Sequence, residues 1–141
     1  MRKVLLPVDG SRHALLAAYY LADFARQHGP FEAHVVNVEP KPQSWQTHGM
    51  EREAIAEHLK ARAASSIEPA MEILKEAGVT CHAHFEMGEI AQTIAALCNS
   101  LGCDAIVMGT RGLGGIAGLA LGSVALKVLH LAKVPVTCIN P

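Results

Sequence analysis

The chain has 141 residues, half of them apolar, and a formal net charge of −1. That length and a single composition throughout suit one domain, residues 1–141, which should bury roughly 70% of its unfolded surface. A near-neutral balance, with a pI of about 6.7, argues against nucleic acid or an anionic membrane as partner, because both call for a basic surface.

The N-terminal stretch MRKVLLPVDG opens basic and then apolar. Its apolar run meets Asp9 too soon for the core of a signal peptide, so residues 3–8 are predicted to form a first strand. Asp9-Gly10-Ser11 closes it, and Ser11 is a natural N-cap. A helix then repeats apolar positions at Leu15, Tyr19, Ala22 and Ala25 and should stop by Gly29-Pro30. Residues 33–38 read as a second strand, broken by Glu39-Pro40-Lys41-Pro42. A long helix is predicted over 51–77, on a stripe of Ile55, Leu59, Ala63, Ile67, Met71 and Leu74. Pro69 interrupts that stripe, and proline removes a helical hydrogen bond, so a kink or a break near Ser65-Ser66 is expected. A third strand follows at 79–85 and a helix from Gly88 to Gly102. Ala105-Ile106-Val107-Met108 is a short apolar strand of the kind found at the centre of a parallel sheet. A last helix, about 123–131, and a last strand between Val134 and Ile139 complete the order βαβαβαβαβ.

Strands alternating with helices imply an α/β fold with a mostly parallel sheet covered on both faces. Ligands of such sheets bind beyond the carboxyl ends of the strands, where the strand order reverses. That rule gathers Pro7 to Ser11, Val38-Glu39 and Gly109 to Gly112 on one rim. Six glycines lie between Gly109 and Gly122. Glycine lets backbone N–H groups approach an anion closely, and a helix starting at Ser123 adds unpaired N–H groups and the positive end of its dipole. The segment therefore reads either as a phosphate cradle or as a flexible or tightly packed connection. No Gly-Lys-Ser/Thr follows the strand, and the spacing is not that of the dinucleotide fingerprint. Asp9 is either a ligand to a ribose or adenine or a turn residue beside Ser11. Val38 is either a wall of a base pocket or a strand valine. Arg111 is a phosphate contact or a solvated loop residue, and Thr110 a hydroxyl donor or the end of a strand.

Three other features point to the bland reading. The run 112–126 is uncharged with a GxxxG spacing, yet its 15 residues fall short of the ~20 a membrane span needs. The four cysteines form no CxxC pair and suit reduced, buried thiols in a cytoplasmic protein. His82 and His84 share one strand face while Cys81 takes the other, so only two ligands converge and no metal site is expected.

The spacing Gly109-x2-Gly112-x9-Gly122-Ser123 resembles the nucleotide-binding motif of the universal stress proteins. Leu6-Pro7-Val8-Asp9-Gly10-Ser11, the stretch from Asp104 to Gly112 and the ending Val134-Pro135-Val136-Thr137-Cys138-Ile139 resemble the same family, so the likeness runs through essentially the whole chain. It implies a Rossmann-like α/β fold, an open five-stranded parallel sheet with helices on both faces, and an adenine-nucleotide-binding, dimeric stress-response or regulatory protein that binds ATP, with magnesium as its companion ion. By position, Asp9 would contact adenine or ribose, Pro7 and Val38 would line the base pocket, and Met108 would form its floor. Gly109, Gly112, Gly122, Ser123 and Val124 would hold ribose and phosphates, and the final strand, from Val134 to Ile139, would pair two copies. The spacer 113–121 carries no charge and no hydroxyl, so phosphates would rest on backbone N–H groups, Ser123 and Arg111. The second strand ends Asn37-Val38-Glu39, where relatives often have His-Val. With no Walker-type lysine and only Asp9 as a rim carboxylate, the expectation is a binding protein and not an enzyme. The competing readings are a slow ATPase or nucleotide-processing enzyme of related fold and a partner-binding domain without nucleotide.

Overall fold

The computed structural model describes residues 1–41, 51–111 and 121–141. Nine elements follow in order: β1 (Lys3–Pro7), α1 (Arg12–His28), β2 (Glu32–Glu39), α2 (Arg52–Glu76), β3 (Thr80–Met87), α3 (Ile90–Leu101), β4 (Ala105–Gly109), α4 (Ser123–Leu131) and β5 (Val136–Ile139). The strands form one sheet in the order β3-β2-β1-β4-β5. Every neighbouring pair is parallel, as the alternation of strands and helices predicts. The chain first steps outward from β1 through β2 to β3, then returns to lay β4 on the other side of β1. The strand order therefore reverses between β1 and β4.

Period-2 alternation sorts the strand residues between two cores. Val4 and Leu6 of β1, Ala33 and Val35 of β2 and Val107 of β4 pack with Ala17, Ala18 and Leu21 of α1 and with Ile67, Ala70 and Leu74 of α2. Leu5, Val36, Val38, Ile106 and Met108 face the opposite way, onto Ala91, Ile94 and Cys98 of α3 and Ala125 and Val128 of α4. Burying one such leucine, isoleucine or valine contributes about 1.5–3 kcal/mol, so the two cores hold β1 and β4 at the centre. The α1 stripe differs in detail from its periodicity: Tyr19 and Tyr20 are exposed, and the alanines and Leu21 carry the contact.

α2 is one unbroken helix through Pro69, contrary to the expected break. Pro69 is exposed, and the carbonyl it leaves without a helical partner belongs to the exposed Ser65. Ala63, Ile67, Ala70 and Leu74 bury the other face and hold the axis together. Strand ends also shift. β5 begins at Val136 and not at Val134, because Pro135 has no N–H to give the ladder; its carbonyl still accepts from Ile106 N at 3.0 Å. β3 extends to Met87, drawn out by eight paired positions along β2.

All four cysteines are free thiols. Cys98 and Cys103 are buried among apolar neighbours. Burial pushes the Cys103 thiol up to about 11 and raises Cys98 as well. No helix among the described residues is long and apolar enough to cross a membrane.

Candidate functional site

A cavity of about 270 Å3 opens at the carboxyl ends of β1, β2 and β4, over the point where the strand order reverses. This is where an open parallel sheet leaves a crevice, because the helices on either side of β1 and β4 depart in opposite directions. Of the sequence-predicted site residues, the structure brings Pro7, Asp9, Val38, Met108, Gly109, Arg111, Gly122, Ser123 and Val124 together around it. Gly112 lies outside the described residues, as does most of the spacer that follows it.

The β1 side is tied down by the protein itself. Val8 N–H donates to Val36 O at 2.8 Å, and the buried Asn37 amide donates from Nδ2 to Val8 O at 3.0 Å. These two bonds fix the chain just before Asp9. Asp9 Oδ1 accepts from Ser11 N–H at 2.9 Å, so the turn role that position suggested for Asp9 is present. Ser11 Oγ in turn accepts from Ala14 N–H at 3.3 Å and caps α1 as expected.

The β4 side is built differently. Thr110 N–H donates to Ile139 O at 3.2 Å, and Thr110 O accepts from Gly122 N–H at 2.6 Å. One residue thus joins the end of β4 to β5 and to the start of α4. Gly122 is the N-cap of α4 and has no side chain to offer its first turn. The N–H groups of Ser123, Val124 and Ala125 have no partner within the helix, and all three residues line the cavity. The positive end of the α4 dipole faces the same space.

Two glycines of the predicted cradle, Gly109 and Gly122, are glycines for different reasons. A Cβ on Gly109 would stand 2.7 Å from both the Cβ and the carbonyl oxygen of His13. Close packing of β4 against the start of α1 therefore excludes any side chain there. At Gly122 the backbone is ordinary (φ −75°, ψ 166°), and among the described residues a Cβ would meet nothing nearer than 3.4 Å. Neither its conformation nor packing among the described residues requires glycine at 122.

Several cavity residues escape a sequence reading. Arg62 reaches the rim from α2, where its Nη2 lies 3.7 Å from Glu39 Oε2. Ile90 and Ile94 of α3 form part of the wall. Nothing in the α2 or α3 pattern could place them, since they reach the cavity only through tertiary packing. Asn37, Thr110 and Arg111 each hold a buried polar atom without a hydrogen-bond partner among the described residues: Asn37 Oδ1, Thr110 Oγ1 and Arg111 Nε. All three line the cavity.

Comparison with known proteins follows the same outline. The family model described as the universal stress protein family matches residues 1–140. A universal stress protein of Methanocaldococcus jannaschii is 30% identical over 99% of this chain and 82% of its own length. Among solved structures, the universal stress protein of Archaeoglobus fulgidus in complex with dAMP has a TM-score of 0.68 at 27% identity, covering 99% of this chain and 97% of that one. A universal stress protein in complex with cAMP has a TM-score of 0.72 at 25% identity, covering 98% and 96%. The chain belongs to the universal stress protein family.

Proposed function

We propose that this protein is an adenine-nucleotide-binding regulatory member of its family, that ATP with magnesium is its ligand, and that it acts as a binding protein and not as an enzyme. One observation carries the reading: the first turn of α4 has no side-chain cap from Gly122 and opens, with N–H groups that have no partner within the helix and with its dipole, into a cavity at the sheet's switch point. Gly122 adds to it, since it lines that cavity and among the described residues a Cβ there would meet no atom nearer than 3.4 Å. The relatives solved with cAMP and with dAMP support the nucleotide class.

In this reading the base lies between Pro7, Val38 and the floor residue Met108, with Asp9 at the base or ribose. The phosphates take Gly122, Ser123 and Val124, with Gly109 and Arg111 at the edge and Gly112 beyond the described residues. Binding without turnover is favoured by the polar groups available. Of the two carboxylates among the described lining residues, one accepts from Ser11 N–H and the other lies beside Arg62. Efficient phosphoryl transfer needs metal-holding and charge-stabilising groups in addition. β5 is an edge strand, which supports pairing of two copies through it.

The protein purified without added nucleotide, then denatured, should release adenine nucleotide into the supernatant, and ATP with magnesium should raise the Tm of the emptied protein. Finding neither overturns the reading. Sustained phosphate release that disappears in Asp9→Ala would replace it with the slow ATPase. Light scattering that reports only monomer at high concentration would refute pairing through β5.

A further inference from the structure

The face of the sheet that carries Val36 and Val38 also carries a polar cluster nearer the amino ends of β2 and β3. Glu32 and His34 lie on β2, four and two residues before Val36, and so point to the same side. His82 stands beside His34 in the β2–β3 register, and His84 beside Val36. Parallel pairing in register therefore stacks onto this face residues that are far apart in sequence. Counting ligands along β3 alone finds His82 and His84; the paired strand adds Glu32 and His34.

The four side chains are joined atom to atom. Glu32 Oε1 lies 3.0 Å from His34 Nε2 and 3.0 Å from His82 Nε2. His34 Nδ1 lies 2.7 Å from His84 Nε2. The rings of His34 and His82 stack with centroids 4.8 Å apart. One donor atom each from Glu32, His34 and His82 falls within a set whose members are no more than 4.8 Å apart. An ion held tetrahedrally at about 2.0 Å has ligand atoms about 3.3 Å from one another, so small ring rotations bring the three onto one ion.

We propose that Glu32, His34 and His82 form a binding site for a divalent cation of the zinc class, with His84 orienting His34 from behind. Two imidazoles and one carboxylate are a borderline donor set that suits Zn2+ and its neighbours better than Mg2+ or Ca2+, which take oxygen. His34 is the inner ligand, 8% exposed at its side chain, while Glu32 and His82 are 36% and 47% exposed. An ion entering from solvent meets the outer two first and keeps water at the remaining position. Without the ion, Glu32 accepts from both Nε2–H groups. With it, both Nε2 atoms turn their lone pairs to the metal, and His34 carries its proton on Nδ1 and donates to His84 Nε2. That is the outer partner a ligating histidine requires.

The test is titration of the untagged, nucleotide-free protein with Zn2+ by calorimetry, and with Co2+ by absorption spectroscopy. One equivalent should bind, with a tetrahedral Co2+ spectrum lacking thiolate charge transfer. His82→Gln and Glu32→Gln should each weaken binding at least tenfold, whereas His130→Gln and Cys81→Ser should leave it unchanged. His82→Gln, on the exposed edge, should fold normally and keep its thermal shift with ATP, so loss of the metal site is separable from loss of the nucleotide site. No bound ion at micromolar Zn2+, or binding indifferent to His82→Gln and Glu32→Gln, overturns the proposal.

Discussion

The cavity is flanked by the amino ends of two helices that solve the same problem in opposite ways. At α1 the protein supplies its own acceptors: Asp9 takes the Ser11 N–H and Ser11 takes the Ala14 N–H. At α4 the cap is a glycine and the first turn is left facing the cavity. Both helices begin beside the central strands and both present a positive dipole end. A helix terminus that satisfies itself stabilises the fold, and one that does not holds donors in reserve for an anion. The difference also separates the two glycines, since Gly109 serves the packing of α1 and Gly122 serves the open end of α4.

The largest effect should come from filling Gly109. A Cβ there overlaps the backbone carbonyl of His13, which cannot rotate away as a side chain would. Gly109→Ala should cost about 3 kcal/mol, lowering the Tm by roughly 10 °C, and Gly109→Val should leave little folded protein. Circular dichroism melts of the nucleotide-free protein measure this. A Tm within about 2 °C of the parent would mean that α1 can shift, and that Gly109 is glycine for a ligand after all.

Gly122 should show the reverse pattern. Its backbone suits any residue and a Cβ meets only ordinary contacts, so Gly122→Ala should change the stability of the empty protein by no more than ~1 kcal/mol. The larger Gly122→Val should still fold, yet bind adenine nucleotide at least tenfold more weakly, about 1.4 kcal/mol. Calorimetric titration with ATP and magnesium checks it. Unchanged affinity would remove α4 from the phosphate site and leave the contrast between the two helices without functional meaning.

These two glycines also mark how far the sequence could be read. Their spacing identifies the rim, because a buried strand, a glycine run and a helix start are local patterns. The reason for each glycine is not local. It depends on His13 lying against Gly109 and on a cavity lying before Gly122, both products of how α1 and α4 settle on the sheet. The same holds for Arg62, whose place on a solvated stretch of α2 gives no hint that it reaches Glu39. It holds most plainly for the histidines. His82 and His84 look like a pair too few for chemistry until the β2–β3 register brings Glu32 and His34 alongside them. Element order and strand alternation were legible from 3.6- and 2-residue periods. Pairing register and helix docking were not, and the partners of these polar side chains are decided there. Pro69 errs in the other direction: a strong local signal for a break is overruled by the buried stripe Ala63, Ile67, Ala70 and Leu74.

The smallest effect should be at Ser11, and it sharpens the contrast most cleanly because Ser11 also lines the cavity. Its hydroxyl oxygen already accepts from Ala14 N–H, and the residue is 7% exposed. Ser11→Ala removes that cap without adding volume, so it should cost about 1 kcal/mol of stability, a fall of roughly 3 °C in Tm. Nucleotide affinity should stay within a factor of two, because the start of α1 is occupied with its own first turn. The decisive measurement pairs a melt of the empty protein with a titration of the filled one. Stability lost at unchanged affinity would confine the ligand to the α4 side. Affinity lost in step with Gly122→Val would mean that both helix termini grip the ligand, and that the self-capped state of α1 gives way when nucleotide arrives.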